Sequence, residues 1–464
     1  MTPRIYVGRF DPRFPGILIR ARSVSDVHSF SHHDRSVRAP ADVLEHLGDD
    51  AIVSDVSRQT VLDHELRHFR DSLLFPFGAA TTRARIHGSY NGFLAAASVK
   101  WLRGDANILP VPLQQWLRMP EDERKVFLAS ESAFANEELR PPPLPLIPGD
   151  DVTDLAPGRH ELEAEEDVLL TACRLALADY ARIERLWRSP HTDGEEAVFP
   201  AVAAWEAAAL ICQLAAIEGY AGEPLMQRFI GWTNRSGPKV YRHGMYVLNW
   251  VLEQLQWPPT MRNHLAVITW AQMGAYQKGY GASSPASRLG TLIEAAAAGG
   301  RWSPDSSFED LVKQWDALTD TDSFEALRAA TTRFSAFCRE ARGWKYLPAE
   351  LFTSLATARE RMLMTFLSDP DSYVDPVEYL AREADYPLPC VGLEYASENT
   401  GGYLTDVTPK EWPSPAVSFD AGWHLEAMAS LADAVFLPGE KSLRSHGRVE
   451  IAQQLGLRAV RVIR

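Results

Sequence analysis

A chain of 464 residues, 46% hydrophobic and 23% charged, has the make-up of an ordinary globular protein and is long enough for a large core and two or three lobes. Its 61 acidic against 47 basic residues give a formal net charge of -14, which argues against nonspecific attachment to nucleic acid or to an anionic membrane. The opening Met-Thr-Pro-Arg-Ile-Tyr-Val carries no apolar run with a small-residue cleavage site. The nearest approach to a membrane-length stretch, Ala201 to Ala216, is broken by Trp205, Glu206 and Gln213, so a cytoplasmic protein with no membrane partner is expected.

Residues 1 to about 58 alternate polar turns with short extended pieces, Arg4 to Val7, Gly16 to Arg20 and Ala51 to Val56, which predicts a small sheet. Ser57 or Thr60 can start a helix, and Val61, Leu62, Leu66, Phe69, Leu73 and Leu74 then recur at helical spacing until Pro76 and Gly78 stop it. Thr81 to Leu102 is a second helical stretch, carrying His87, Tyr90 and Asn91, and Leu109 to Leu117 is a connector. Pro141 to Pro148 is a stiff extended spacer.

From Glu161 the pattern turns helical, over about 161–187, 197–221, 223–234, 240–256, 259–278, 285–298, 306–317, 323–341, 347–367 and 374–384. Residues 385–422, rich in proline and glycine, read as irregular, and the alternating tail from Leu455 to Arg464 as one edge strand. The fold class is therefore α+β and predominantly α-helical, with a small N-terminal sheet beside the first helix. The expected division is an N-terminal lobe at 1–140, a proline-rich linker or strap at 141–160, a helical region at 161–384 and an irregular C-terminal segment at 385–464.

The first helix contains His64-Glu65-Leu66-Arg67-His68. Two histidines four positions apart share a helix face, so both rings can reach one metal ion while Glu65 faces the water that ion carries. A catalytic zinc needs a third protein ligand and leaves its fourth position to water. A third histidine six positions beyond His68, with an intervening glycine, is excluded, because Asp71 and Leu74 stand there. Cys173, Cys212, Cys338 and Cys390 are far apart and read as buried thiols rather than a thiolate site.

Two candidates remain for the third ligand. Glu206 sits in the nearly all-apolar run Trp205-Glu-Ala-Ala-Ala-Leu-Ile-Cys-Gln213, where an unpaired carboxylate is costly and a metal-bound one is not. His87 is the other, on the neighbouring helical stretch. Asp71 lies on the histidine face and can accept the outward ring N–H of a bound histidine, or pair with Arg67 or Arg70 at the surface. Tyr90, Tyr220, Tyr241, Arg242 and His243 have the chemistry to donate a hydrogen bond to an oxyanion.

The motif helix after a strand, followed far downstream by Glu206, Ala209 and Gln213 as Glu-x-x-Ala-x-x-x-Gln, resembles the glutamate-ligand branch of the zincin-like metallopeptidases, the gluzincins. The longer stretch His64 to Gly78 is similar to bacterial proteins that carry His-Glu-x-x-His-Phe and a Pro-aromatic-Gly turn after the helix. By that resemblance His64 and His68 are zinc ligands, Glu65 is the general base and Glu206 is the third ligand. The likeness covers two short segments. Glu206 stands 138 positions after His68, a wider separation than is usual in that branch, and Leu210 stands where better-known members often carry an aspartate.

The expected function is a zinc-dependent hydrolase, a metallopeptidase or amidase cleaving a particular peptide, protein or small amide. Two histidines and a carboxylate also suit non-haem iron and oxygen activation. In a third reading the chain is a helical scaffold or interaction protein whose motif is structural or vestigial, and either the histidines do not converge with a carboxylate or the opening is blocked by protein.

Overall fold

In the computed structural model the described residues are 7–11, 14–21, 49–83, 86–87, 90, 108–111, 118–123, 201–237, 239–274, 284–344, 347–397, 401–410, 412–423, 425–426 and 459–462. They form β1 (Val7–Asp11), β2 (Phe14–Ala21), α1 (Asp49–Leu74), β3 (Ile108–Val111) and then a helical series. The series runs α2 (Ala201–Ala221), α3 (Glu223–Ser236), α4 (Lys239–Leu255), α5 (Met261–Gln272), α6 (Pro285–Ala297) and α7 (Phe308–Thr319). It continues through α8 (Ser323–Ala341), α9 (Ala349–Ser368), α10 (Pro370–Val374) and α11 (Pro376–Ala381) to β4 (Val391–Ser397), β5 (Gly401–Asp406) and β6 (Ala459–Val462). No helix among the described residues is long and apolar enough to cross a membrane.

The chain divides into two compact units. One comprises Met1–Ala80, Ser189–Tyr395 and Leu404–Ala421; the other comprises Thr81–Arg188, Ala396–Tyr403 and Gly422–Arg464. The second contains β3 and β6, which pair in parallel from Ile108 opposite Ala459 to Val111 opposite Val462. The expected spacer at 141–148 and helix at 161–187 lie outside the described residues, as does most of the stretch from Thr81 to Leu102.

Within the first unit the helices begin as their sequences direct. Thr260 caps α5 by accepting from the Asn263 N–H at 3.2 Å, Ser307 caps α7 through Asp310, and Asp322 caps α8 through Glu325. In place of the expected helix at 374–384 stands the shorter α11, with the equally short α10 just before it. Pro370 and Pro376 each occupy a first turn, Asp369 and Asp375 cap them, and a 3-10 turn at Glu383–Asp385 follows.

Two expectations for extended structure fail. Ala51 to Val56 is not a strand but part of α1, which starts at Asp49, not at Ser57 or Thr60. A short apolar run has no period that separates strand from helix; the tertiary partners decide, and Val56 packs with Leu210, Leu214 and Ile217 of α2. Residues 385–422 are not wholly irregular, since β4 and β5 join the N-terminal strands in one sheet of order β1-β2-β4-β5. β1 and β2 are antiparallel, whereas β2 and β4 are parallel, with Ile17 opposite Val391 and Ile19 opposite Leu393. No local pattern encodes a pairing across so much chain.

That sheet covers one side of α1, where Val61, Leu62 and Leu66 meet Ile17, Ile19, Val391 and Leu393. Another side, with Phe69 and Leu73, joins Ala204, Ala207, Ala208 and Ile211 of α2 in the main core. α2 is apolar almost all round because it is enclosed almost all round. Gly244 lets α4 lie close against it: a Cβ there would stand 3.1 Å from both the Ala203 carbonyl oxygen and the Ala207 Cβ.

α1 ends at a proline. Pro76 has no N–H for the Ser72 carbonyl, and Gly78 folds back so tightly that a Cβ would lie 2.5 Å from the Ser72 Cα. Arg359 of α9, fully buried, supplies the missing donors: its guanidinium bonds the carbonyls of Ser72 at 3.3 Å, Leu73, and Leu74 at 3.2 Å. A cation at these carbonyls also suits the negative end of the helix dipole. Arg359→Leu strands three buried acceptors at about 1–3 kcal/mol each, so chemical denaturation is expected to show a loss of about 3 kcal/mol or more.

Candidate metal centre

His64 and His68 point the same way from α1, with Nε2 atoms 3.2 Å apart and rings edge-on, centroids 4.8 Å apart. α2 runs alongside and brings Glu206 to them, its Oε2 lying 3.4 Å from the His64 Nε2 and 3.3 Å from the His68 Nε2. The rings are buried, whereas the Glu206 side chain keeps 26% exposure, so the triad opens to solvent on the carboxylate side. Among the described residues this is the group of His, Cys, Asp and Glu side chains able to share an ion.

The donor spacing fits a metal. Three ligands on one face of a tetrahedron, with bonds of ~2.0–2.1 Å, stand ~3.3–3.4 Å apart; on an octahedral face with the same bonds they stand ~2.9–3.0 Å apart. The observed edges of 3.2, 3.3 and 3.4 Å are close enough for the three donors to share one ion. Neither ring Nδ1 has a hydrogen-bond partner among the described residues, which departs from the usual outward N–H contact of a ligating histidine.

Charge is finely balanced here. Burial works against an imidazolium at His68, but the Glu206 carboxylate, aided by Glu65 and Asp71, outweighs it and raises the pKa to about 9. Burial likewise opposes the Glu206 carboxylate, yet the two imidazoles drive its pKa far below the ordinary range. The metal-free triad at neutral pH is therefore a His68 imidazolium facing a Glu206 carboxylate.

Glu65 is buried in α1, and its charge acts on both His68 and Tyr241. Tyr241, half-buried near the start of α4, places its hydroxyl 3.4 Å from the His64 Nε2. Burial, then the negative charges of Glu206 and Glu65, hold its pKa well above the usual phenol value. Trp205 lies beside His68 with centroids 6.3 Å apart and meets Phe77 edge-on, which makes one wall of the site aromatic. The tryptophan adjoins Glu206 in sequence, but periodicity alone marks it only as core.

The other candidates go elsewhere. His87, the alternative third ligand, is buried but is not in the donor group, and both His87 and Tyr90 belong to the second unit. His243 is exposed, about 200° round α4 from Tyr241, and Arg242 is exposed as well. Tyr220 lies ~21 Å along α2 from Glu206 at ~1.5 Å per residue. Asp71 does not receive a ring N–H from either histidine. It is fully buried, paired with Arg67 at 2.9 Å and accepting from the Tyr373 hydroxyl at 2.6 Å.

Fold and site together define a predominantly helical α+β protein with a buried two-histidine, one-carboxylate centre able to hold a divalent metal ion. Comparison with protein-family models, curated proteins and solved structures gives no match.

The pKa shifts fix the pH behaviour. His68 is raised from 6.5 to about 9, so its contribution to metal-free stability is complete below pH 6.5 and is lost as pH rises through 9. Glu206 is lowered from 4.5, so its contribution is present above pH 4.5 and is lost as pH falls further. A metal must displace the His68 proton. Calorimetric zinc titration at pH 7 in buffers of different ionisation enthalpy is expected to show about one proton released, with affinity falling about tenfold per pH unit below 9.

Proposed function

We propose that the chain is a zinc-dependent hydrolase of the metallopeptidase or amidase kind, acting on a particular peptide, protein or small amide. The observation that carries this is the near-equilateral triangle of His64, His68 and Glu206 donors, with Glu65 adjoining His64 in the same helix. A divalent metal bound there supplies Lewis acidity, polarising a carbonyl and lowering the pKa of water.

The remaining steps belong to this chain's own groups. Glu65 takes a proton from the attacking water and returns it to the leaving amine. Tyr241 stays protonated because burial and the adjoining carboxylates disfavour its phenolate, so its hydroxyl is a hydrogen-bond donor to an oxyanion developing beside His64. Trp205 closes the His68 side against water. Substrate approaches past the part-exposed Glu206.

One observation favours hydrolysis over oxygen chemistry at iron: a carboxylate base next to the first ligand, for which an iron oxygenase has no general need. The scaffold alternative expects histidines apart from a carboxylate or an opening blocked by protein; the meeting of His64, His68 and Glu206 speaks against the first and the part-exposed Glu206 against the second.

Protein purified without added metal is expected to carry about one zinc per chain, lost in His64→Ala. Against a panel of fluorogenic peptides and aryl amides, Glu65→Gln should retain the zinc while turnover falls about 10²–10⁴-fold. Zinc absent from both proteins, or turnover unchanged in Glu65→Gln, defeats the proposal. Tyr241→Phe is expected to lower kcat about 10²–10³-fold with KM little changed.

A further inference from the structure

Arg67 stands inside the His-Glu-x-x-His run and is fully buried, one of the largest side chains with no exposure. Its environment is a box built by α10 and α11. The guanidinium lies 4.0 Å over the Tyr373 ring and 5.0 Å from the centre of the Tyr379 ring. It pairs through Nε with Asp71 at 2.9 Å and donates to the Tyr373 carbonyl at 3.0 Å and to Thr269 at 3.4 Å. The Tyr373 hydroxyl closes the ring of contacts by donating to Asp71 at 2.6 Å.

Arg70 continues the arrangement one turn on. Its guanidinium lies 5.0 Å from the centres of the Tyr379 and Tyr386 rings and donates to the Glu383 carbonyl at 3.0 Å. The flank of the motif helix next to the histidines is thus keyed to the segment from Tyr373 to Tyr386 by planar cations.

A key of this kind fixes rotation about the helix axis, and rotation is what the site cannot absorb. The ligating nitrogens lie at the outer radius of the helix, ~5–6 Å from its axis, so a turn of ~10° moves them by ~1 Å. Metal bond lengths tolerate about 0.2 Å. Apolar burial is non-directional, so it specifies the azimuth less tightly than a bonded guanidinium does.

We infer that Arg67 is a positioning residue: docked between Tyr373 and Tyr379 and tied to Asp71, it sets the azimuth at which His64 and His68 meet Glu206. The inference rests on the metal reading above, and the test separates the two. Cobalt(II) is titrated into metal-stripped wild type, Arg67→Lys, Tyr373→Phe and Val312→Ala, with affinity and the visible d–d spectrum as readouts. Val312→Ala, a core truncation in α7, controls for plain loss of stability.

Arg67→Lys keeps the charge but loses the planar fork. It is expected to weaken cobalt binding about tenfold or more and to alter the d–d band, with a smaller change of the same sign in Tyr373→Phe and none in Val312→Ala. Should Arg67→Lys fail to fold, Tyr373→Phe, which removes one hydroxyl and keeps the ring, decides the matter. A loaded wild type with variants of unaltered affinity and spectrum overturns the inference alone. Equal loss in Val312→Ala also overturns it, since the effect would then follow stability. Wild type that binds no cobalt overturns the metal reading and the inference with it.

Discussion

A charge taken out of water must find a partner, and this constraint bears hardest on α1. Asp63, His64, Glu65, Arg67, His68, Arg70 and Asp71, seven ionisable residues within nine positions, are all at most 7% exposed. Groups of these types are almost never fully buried unless paired. The helix meets the constraint by sorting its charges by face. His64, His68 and Glu65 look toward α2 and α4, whereas Arg67, Arg70 and Asp71 look toward α10 and α11. Much of the first unit follows from supplying partners to those faces: Glu206 in a largely apolar α2, and a cluster of tyrosines on and just after two short proline-started helices.

The two faces are satisfied in different chemical terms. Toward α10 and α11, Arg67 and Asp71 have fixed partners, including ring faces that a water molecule cannot replace, and there is little a solute could exchange. On the other side, two imidazole nitrogens and a carboxylate oxygen stand 3.2–3.4 Å from one another, donors that a cation can hold together. Such a group is able to take a divalent metal in exchange for a proton. The aromatic wall of Trp205 and Phe77 raises the worth of that exchange by excluding solvent.

How much of this was legible in the sequence depends on how local its cause is. The helices of residues 201 to 368 lie where hydrophobic periodicity and capping residues put them, because both signals act within a turn or two. Glu206 was readable for a related reason: a carboxylate among Ala, Leu and Ile states its own need for a partner. Ala51 to Val56 misleads because six apolar-rich residues carry no period, and β4 is invisible because its partner, β2, is hundreds of positions away. Tyr241 cannot be told from Tyr90, Tyr220 or His243 by chemistry, since what separates them is which turn of which helix faces α1. The arginine box is hidden most thoroughly. Tyr373, Tyr379 and Tyr386 read as ordinary core aromatics, and Arg67 as a surface residue between two histidines.

The separation of faces bears on how the centre arises. Small metal domains fold only when the ion arrives, since nothing else orders their ligands. Here the ligands hang from two helices whose packing, through Phe69, Leu73, Ala204, Ala207, Ala208 and Ile211, does not involve the donors at all. The end of α1 is fixed independently by Arg359. A frame assembled that way exists before the ion does, so metal binding need not supply folding free energy and its strength can reflect ligand geometry alone. Preorganisation of this sort is what a catalytic centre requires, because an ion that had to reorganise its own ligands would lose in binding what it contributes in polarising power. Burying seven ionisable groups in a single helix costs more than an apolar helix of the same length would, and the arrangement makes physical sense where one side of the helix can hold an ion and the adjoining side keeps it in place.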